Sequence, residues 1–313
     1  MLYIWIALGV LAFLAVLTLT LSYFCYRMAF RARNETAPAE EFPLPQGAVY
    51  EPFHNSMRQW MREVRAMPCE TFYIRSFDGL RLRGKYYECA PGAPIELMFH
   101  GYRGSAERDL CGGIQRSFAL GHSVFVVDQR TSEGSEGKVI TFGICEHKDC
   151  LAWVDFLTDH FGPDVKILLT GISMGAATVM MAAGRDLPAN VAGVLADCGY
   201  TTAKAIILKV IGGMGLPARF FYPFVKLGAR LFGRFDLEET SPLEALKNCH
   251  LPVLFFHGED DGYVPCYMSR ENFEACAGPK MLVTVPGADH GLSYLVDPEG
   301  YLAAMENFFA PYL

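Results

Sequence analysis

The sequence KILLTGISMGAATVMMAAG, residues 166–184, decides the fold class of this chain. It opens with a short apolar run, turns at Gly171-Ile172-Ser173-Met174-Gly175 and continues with the composition of a buried helix. Glycines on both sides of the turn indicate a backbone so tightly packed that side chains there would crowd the strand and the helix. The stretch therefore predicts a strand, a sharp turn that exposes Ser173, and a helix.

Strand-like and helix-like stretches alternate along much of the remaining chain. Residues 71–76 and 80–87 flank Asp78-Gly79, a hairpin signal, and predict an antiparallel edge. The later apolar runs are separated by helix-length stretches, which predicts βαβ units, an α/β fold and a mostly parallel central sheet with helices on both faces. The predicted parallel strands are 95–99, 123–127, 165–169, 191–195, 252–256 and 281–285.

Residues 1–26 contain no charged side chain and are long enough to cross a bilayer, because about 20 apolar residues span its roughly 30 Å hydrocarbon layer. A cleaved signal peptide is the competing interpretation, but the run lacks a basic start and a small-residue cleavage site. Arg27, Arg31 and Arg33 follow the run. Because basic residues favour the inner side, we predict a single-pass protein of the cell membrane with its globular domain in the cytoplasm.

Three regions are predicted along the chain. Residues 1–26 are a transmembrane anchor that is separate from the globular fold. Residues 27–68 comprise a polar linker over 33–47, rich in Pro and Glu, and an amphipathic helix over 51–67. Residues 69–313 form one α/β domain, with a small helical cap inserted at about 200–240.

Composition excludes several classes of protein. Of the 313 residues, 51% are hydrophobic and 19% are charged, so the chain can bury a sizeable core and is not intrinsically disordered. A net charge of −7 offers no basic footprint for phosphates, so nucleic acid is not an expected partner. Ten cysteines in so long a chain do not form a dense disulfide framework, and we predict reduced thiols.

A serine nucleophile needs a base and a group that orients the base, and the chain supplies both after Ser173. His290 follows the last predicted strand in a glycine-flanked loop, and Asp261 follows the strand before it. We predict Ser173, His290 and Asp261 as nucleophile, base and acid. Asp260 is the immediate rival for the acid, and Asp197 is a more distant one.

Acyl transfer also requires donors aimed at the developing oxyanion. His100-Gly101-Tyr102-Arg103-Gly104 follows a predicted strand at the same end of the sheet as the serine turn. The backbone N–H groups of Tyr102 and Met174 are therefore the predicted oxyanion-hole donors. Two other histidines, His100 and His257, precede glycine at strand ends, and we expect them to bond loop backbone.

No metal or cofactor is predicted. Cys145-x-His147-x-x-Cys150 has no second pair of ligands at a spacing suited to zinc, which needs about four. No glycine-rich loop matches a dinucleotide or phosphate-binding pattern. Hydrolysis through a serine nucleophile requires neither a metal nor a cofactor.

Five stretches together resemble the α/β-hydrolase superfamily: HGYRGS, DQRTSEGSEG, GISMGAA, HGEDDGYVP and DHG. They cover about residues 70–313 and resemble in particular bacterial membrane-anchored serine hydrolases near the serine aminopeptidase and acyltransferase-like branches. The resemblance implies Ser173 as nucleophile, Asp261 as acid, His290 as base and the residue after His100-Gly101 as an oxyanion donor. One departure is Thr131-Ser132-Glu133, where relatives commonly carry Gly-His-Gly, and it concerns substrate shape more than the triad.

The predicted cap carries the clue to the substrate. Residues 201–235 contain six basic side chains and no acidic one, interleaved with large apolar residues. This makeup is typical of a helix resting on an anionic membrane surface, and it would favour a lipid acyl substrate. The alternative is a cap whose apolar side covers the active site while its basic side chains are solvated.

The predicted function is that of a membrane-anchored serine hydrolase acting on an acyl ester, thioester or related bond of a small-molecule or lipid substrate. A peptidase or an acyltransferase could use the same triad, since one fold hosts all of these activities. A non-catalytic membrane scaffold is the alternative of a different class, and it would be expected to have lost triad residues.

Overall fold

The structure of the protein is a computed structural model that describes residues 1–32 and 42–313. Its eight strands form one sheet. The strands are β1 (Glu70–Arg75), β2 (Arg81–Tyr87), β3 (Ile95–Phe99), β4 (Ser123–Asp128), β5 (Ile167–Ile172), β6 (Val191–Asp197), β7 (Val253–Gly258) and β8 (Lys280–Val285). The helices are α1 (Leu2–Ala29), α2 (His54–Ala66), α3 (Ala106–Ala119), α4 (Glu146–Phe161), α5 (Met174–Ala183), α6 (Ala203–Gly213), α7 (Ala218–Gly228), α8 (Pro242–Leu246), α9 (Tyr267–Ala275), α10 (Ser293–Val296) and α11 (Pro298–Phe309).

The strand order is β1-β2-β4-β3-β5-β6-β7-β8. The first hairpin is antiparallel and pairs with β4 antiparallel, and every later pairing in the sheet is parallel. The predicted α/β class, antiparallel edge and mostly parallel sheet are therefore confirmed. The strand ends differ from the predicted ones by at most two or three residues.

Both faces of the sheet are covered because side chains along each buried strand alternate between two cores. On β3, Leu97 and Phe99 point into the core under α4 and α5, whereas Met98 points into the core under α3. Every residue of α5 is buried, which explains its composition of small and flexible apolar residues. Because both faces of these strands are buried, their sequences are continuous apolar runs.

The sheet reverses its winding at β3, which lies between β4 on one side and β5 on the other. Loops that leave two adjacent strands at such a switch point separate in opposite directions and leave a crevice at the carboxyl ends. Here those loops are residues 100–105, after β3, and the turn at Ser173, after β5. Strand order thus places the two predicted parts of the site side by side.

Helix α1 is long and apolar enough to cross a membrane, by length and composition, as a transmembrane span or a signal sequence would be. The prediction that this segment is separate from the globular fold is wrong for its last turns. Tyr26 and Phe30 are buried, and the carbonyl of Phe30 accepts a hydrogen bond from Ile140 N at 2.7 Å. The aromatic ring of Phe30 also packs edge-on against Phe142 and Phe235. The carboxyl end of α1 therefore packs against the domain as part of its buried interior.

The segment between α1 and the domain is only partly described. Residues 33–41, which include Arg33 and most of the predicted linker, lie outside the described residues. The predicted amphipathic helix corresponds to a short 3₁₀ turn, Glu51–Phe53, followed by α2. Met57, Met61 and Val64 on α2 are buried against the domain, as their helical spacing predicts.

The predicted cap consists of α6, α7 and a π-helical turn, Ala229–Gly233. Its basic charge is partly neutralised by acids just beyond the segment that the prediction considered. Lys226 and Lys204 pair with Glu238, and Arg230 lies 3.8 Å from Asp236. The cap also packs closely against α1. Gly228 on α7 lies so close to the backbone of Ser22 on α1 that a Cβ would collide with it.

A buried ionic network fastens β3 to α3. Glu96 is fully buried, pairs with Arg116, and accepts hydrogen bonds from His122 Nδ1 at 2.9 Å and from Thr170 Oγ1 at 3.1 Å. Burial alone would raise the pKa of Glu96, but the charges of Arg116 and His122 outweigh it and lower the pKa to about 2.

Glu96→Gln is expected to destabilise the fold by about 3–5 kcal/mol, because it leaves the buried guanidinium of Arg116 without its counter-charge. The carboxylate has a lower pKa in the folded chain than in the unfolded one, so its stabilisation is present above the unfolded value and fades as pH falls towards about 2. Denaturant unfolding of the parent and of Glu96→Gln in micelles should show a difference in the free energy of unfolding. This difference should be largest near neutral pH and should narrow in acid. An equal loss of unfolding free energy in Glu271→Gln, at an exposed position, would contradict the stabilising role of Glu96. So would a difference between parent and Glu96→Gln that does not narrow in acid.

Candidate active site

The turn after β5 holds Ser173 in a backbone conformation that few non-glycine residues adopt, with φ 56° and ψ −115°. A Cβ at Gly171 would collide with the backbone of Gly175, and one at Gly175 would collide with the carbonyl of Phe99. Glycine is therefore required at both positions. The amide of Ser173 is tied to the carbonyl of Asp197 at 2.8 Å, which fixes the turn against β6. Local strain of this kind is typical of a functional residue.

Ser173, His290 and Asp261 form one continuous chain of hydrogen bonds. Oγ of Ser173 lies 2.9 Å from Nε2 of His290, and Nδ1 of His290 lies 2.7 Å from Oδ2 of Asp261. Because an ionised carboxylate only accepts, Nδ1 carries the proton and Nε2 is left to accept from the serine hydroxyl. The structure thus brings together the three residues that the sequence proposes for this role, although they are far apart along the chain.

The carboxylate of Asp261 is held in place from several sides. Its Oδ1 accepts hydrogen bonds from the amides of Tyr263, at 2.9 Å, and Val264, at 2.7 Å. Burial alone would raise the pKa of Asp261, but hydrogen bonds and charge from His257 and His290 outweigh burial and lower the pKa to about 2. Asp261 is therefore a carboxylate throughout the neutral range.

The two rival acids lie elsewhere. Asp260 is exposed at the surface. Asp197 is buried and bonds to Tyr301 Oη at 3.1 Å and Ser293 Oγ at 3.4 Å, not to the histidine. Burial raises the pKa of Asp197, in contrast to that of Asp261. Of the three candidate carboxylates, Asp261 alone meets His290 among the contacts of the described residues.

The predicted oxyanion donors flank the serine. Met174 is the first residue of α5, so its N–H belongs to the first turn and has no partner within the helix. The loop after β3 passes close by, because a Cβ built on Gly101 would lie 3.6 Å from Cβ of Ser173. The carboxylate of Asp109 accepts from Gly101 N at 2.9 Å and holds this loop in place. Tyr102 is the next residue, so its backbone borders the site.

The other motif histidines both bond to loop backbone, as the sequence predicts, and His257 also bonds to a side chain on α9. Nε2 of His100 accepts from the amide of Gln129 at 3.2 Å. His257 lies between Ser269 Oγ, at 2.6 Å, and the carbonyl of Val264, at 2.7 Å. Asp289 accepts from the amides of His290 and Gly262 and so shapes the loop that carries the histidine.

A cavity of about 590 Å³ opens at Ser173 and His290. Its wall includes Tyr50 and Trp60, which precede the sheet and which the sequence analysis did not assign to the site. The hydroxyl of Tyr50 donates to the backbone carbonyl of His290 at 3.0 Å and so helps to hold the loop that carries the base. No motif marks Tyr50, and the only sequence signal was that its segment begins an amphipathic helix.

Potential metal ligands cluster at one place in the described ranges, where Cys198, Asp261 and His290 place ligand atoms within 4.8 Å of one another. Two of these three already bond to each other, and burial raises the pKa of the Cys198 thiol well above its ordinary value. A thiolate ligand is therefore disfavoured there. In the Cys145-x-His147-x-x-Cys150 stretch, His147 Nδ1 bonds instead to the carbonyl of Gly143 at 3.0 Å.

Comparison with known proteins gives a family match for the central part of the chain. A family model described as the alpha/beta hydrolase fold matches residues 97–234, which hold the serine turn and most of the cap. Asp261 and His290 lie beyond the matched residues.

Two of the curated relatives that match, both at modest identity, are as follows. The uncharacterized protein YqkD of Bacillus subtilis (strain 168) is 28% identical over 190 residues, and the match covers 60% of this chain and 62% of that protein. The uncharacterized protein YfhR of Escherichia coli (strain K12) is 24% identical over 229 residues, covering 71% and 73%. The chain thus matches less than two thirds of the length of the Bacillus relative.

Among solved structures, an esterase from Pyrococcus furiosus superposes with a TM-score of 0.67 at 18% identity. The superposition covers 90% of this chain and 98% of the esterase. Such a likeness establishes the common fold. The more specific resemblance to the serine aminopeptidase and acyltransferase-like branches remains a prediction.

Proposed function

We propose that this chain, which has the α/β-hydrolase fold, is a membrane-anchored serine hydrolase that cleaves carboxylic esters through an acyl-enzyme. One observation carries the proposal, namely the hydrogen-bonded chain Ser173–His290–Asp261 with links of 2.9 and 2.7 Å. Nucleophile and base are within bonding reach, and the base is oriented by a third group, as nucleophilic catalysis requires.

In the proposed first half-reaction, Nε2 of His290 takes the proton from Oγ of Ser173 as the oxygen attacks the substrate carbonyl. The tetrahedral intermediate carries its charge on the former carbonyl oxygen, next to the N–H groups of Tyr102 and Met174. When the carbon–oxygen bond of the leaving group breaks, His290 returns its proton to the departing alkoxide. Products at this point are the free alcohol and an ester on Ser173.

In the second half-reaction, a water molecule replaces the alcohol. His290 takes a proton from this water as its oxygen attacks the acyl carbon, and then returns that proton to Oγ of Ser173. The acid is released and the resting hydrogen bonds are restored. Asp261 retains its charge throughout and stabilises the imidazolium that forms in each half-reaction.

Anchoring through α1 is part of the proposal. The exposed apolar surface of α1, together with its length of 28 residues, supports a bilayer span. Packing of its carboxyl end into the domain supports a retained helix over a cleaved signal peptide, since cleavage would expose Phe30 and its aromatic neighbours. Arg27 and Arg31 at that end support a cytoplasmic domain.

Two matched substrate series test the reaction class. The purified full chain in detergent micelles would be assayed with p-nitrophenyl esters of fatty acids and with p-nitroanilides of amino acids, each with and without an added alcohol. We expect ester cleavage that ends in free acid and little anilide cleavage.

Three other outcomes would each overturn the assignment to ester hydrolysis. Preferential anilide cleavage would indicate a peptidase. Product that forms mainly with the added alcohol would indicate an acyltransferase. Failure to cleave either series would favour a scaffold that retains the fold.

A further inference from the structure

A second cavity, of about 430 Å³, lies where α1, the cap and the catalytic loops meet. This volume falls in the range of small-ligand pockets, about 300–1,000 Å³. Its wall is formed almost wholly by aliphatic and aromatic side chains. Arg103 is the one charged residue among its lining residues in the described part of the chain, and its guanidinium donates to the carbonyl of Met28 at 2.6 Å.

The helical spacing of the lining residues shows that one face of each neighbouring helix forms the wall. Leu21, Phe24 and Met28 on α1 are separated by three and four residues and line the cavity together. The cap helix α6 contributes residues with the same spacing, and Ile207 and Ile211 are among them. On α7, Phe221 and Val225 also line the cavity, so three helices present apolar faces to it.

The second cavity adjoins the catalytic one. Tyr102 and Tyr263 are lining residues of both cavities. The ring of Tyr263 lies 5.2 Å from the ring of His290, and the backbone of Tyr102 borders the nucleophile. The Tyr102 hydroxyl also donates to the carbonyl of Ala29 at 2.8 Å, which links the oxyanion loop to α1. A ligand passing between the two tyrosines would connect Ser173 to the apolar space.

The depth of the cavity along α1 matches the edge of a bilayer. The apolar run of α1 ends at Arg27, and Tyr23 and Tyr26 just before it are residues that favour the edge of the hydrocarbon layer. Phe24 and Met28 therefore lie at the level where hydrocarbon gives way to headgroups, which is where a lipid carries its ester bonds. The cap side of this region is also apolar, with Leu216 and Phe220 exposed.

We propose that the second cavity binds the aliphatic chain of a membrane-lipid acyl ester whose ester group reaches Ser173, and that α1 supplies one wall of this acyl site. The inference rests on the proposed function and specifies its substrate class. The apolar wall lets such a chain leave the bilayer without exposing its methylene groups to water. Membrane anchoring would then serve both to localise the enzyme and to build its substrate site.

The test narrows the cavity from two sides in the full chain. Ile211→Trp fills it from the cap and Met28→Trp fills it from α1. Phe220→Trp and Leu17→Trp are the matched controls, since they place the same ring on α7 and α1 at residues that do not line the cavity. Substrates are p-nitrophenyl acetate, butyrate, laurate and palmitate, with the laurate supplied either as dilute monomers or within phosphatidylcholine vesicles that contain the protein.

Both narrowing variants should lower kcat/KM for laurate and palmitate by about tenfold or more, while acetate hydrolysis stays unchanged, because a pocket contact acts only on a ligand that fills it. The parent chain should hydrolyse vesicle-embedded laurate faster than monomeric laurate. An unchanged chain-length profile in both narrowing variants would overturn the acyl site, and faster use of monomers would overturn the membrane source. If the parent chain fails to hydrolyse even acetate, the proposed function itself has failed.

Discussion

Ser173→Ala is expected to lower kcat for ester hydrolysis by about a millionfold, to a residual rate set by the oxyanion donors and by binding. The loss should be this large because the hydroxyl is the only group placed 2.9 Å from the accepting nitrogen of His290, within the part of the chain that the structure describes. Initial rates of p-nitrophenyl butyrate hydrolysis by parent and variant measure it.

Ser56→Ala, on the exposed side of α2, is the control for the serine substitution and should retain full activity. Similar unfolding curves for parent and Ser173→Ala would show that the loss is chemical. The strained φ of 56° persists in the variant, because alanine also carries a Cβ. A Ser173→Ala chain that keeps a tenth of its activity would mean that another nucleophile acts.

Asp261→Asn should lower kcat by about four orders of magnitude while leaving the fold intact. An amide can donate to Nδ1 of His290, which would place the imidazole proton on Nε2 and prevent it from accepting from Ser173. The expected loss thus follows from the hydrogen bonds at 2.7 and 2.9 Å that fix the histidine tautomer.

The neighbouring carboxylate offers a matched control for that change. Asp260→Asn alters the same charge one residue earlier, but at an exposed position, and should leave kcat within a factor of about two to three. Kinetics of the two variants side by side therefore decide which acid orients the base. Equal losses in both variants, or a larger loss in Asp260→Asn, would contradict the assignment of Asp261.

Much of the site was predictable because its signals are local. The glycines around Ser173 indicate that backbone segments lie too close there for any side chain. The positions of Asp261 and His290 after strand ends follow from the short apolar runs that precede them. Parallel strands bring their carboxyl ends to one edge, so chain order sufficed to group these residues. The choice of Asp261 over Asp260 needed coordinates, because adjacent residues differ only in the direction of their side chains.

Features that depend on contacts between distant segments were not predictable. The apolar composition of α1 signals a bilayer span, and it gives no sign that Tyr26 and Phe30 pack into the domain. The charge of the cap is a different case, because the count over residues 201–235 ended just before Asp236 and Glu238, which neutralise part of that charge. Tyr50 reaches the base across a separation of 240 residues, and no local pattern encodes such a hydrogen bond.

The central claim is that Ser173 is a nucleophile activated by His290. Its most direct test is to treat the full chain with a fluorophosphonate, digest it and locate the adduct by mass spectrometry. We expect one phosphonylated peptide that carries the label on Ser173 and that is lost in His290→Ala, because the hydroxyl reacts only when a base takes its proton. A label on another residue, or labelling of Ser173 that persists without His290, would contradict it.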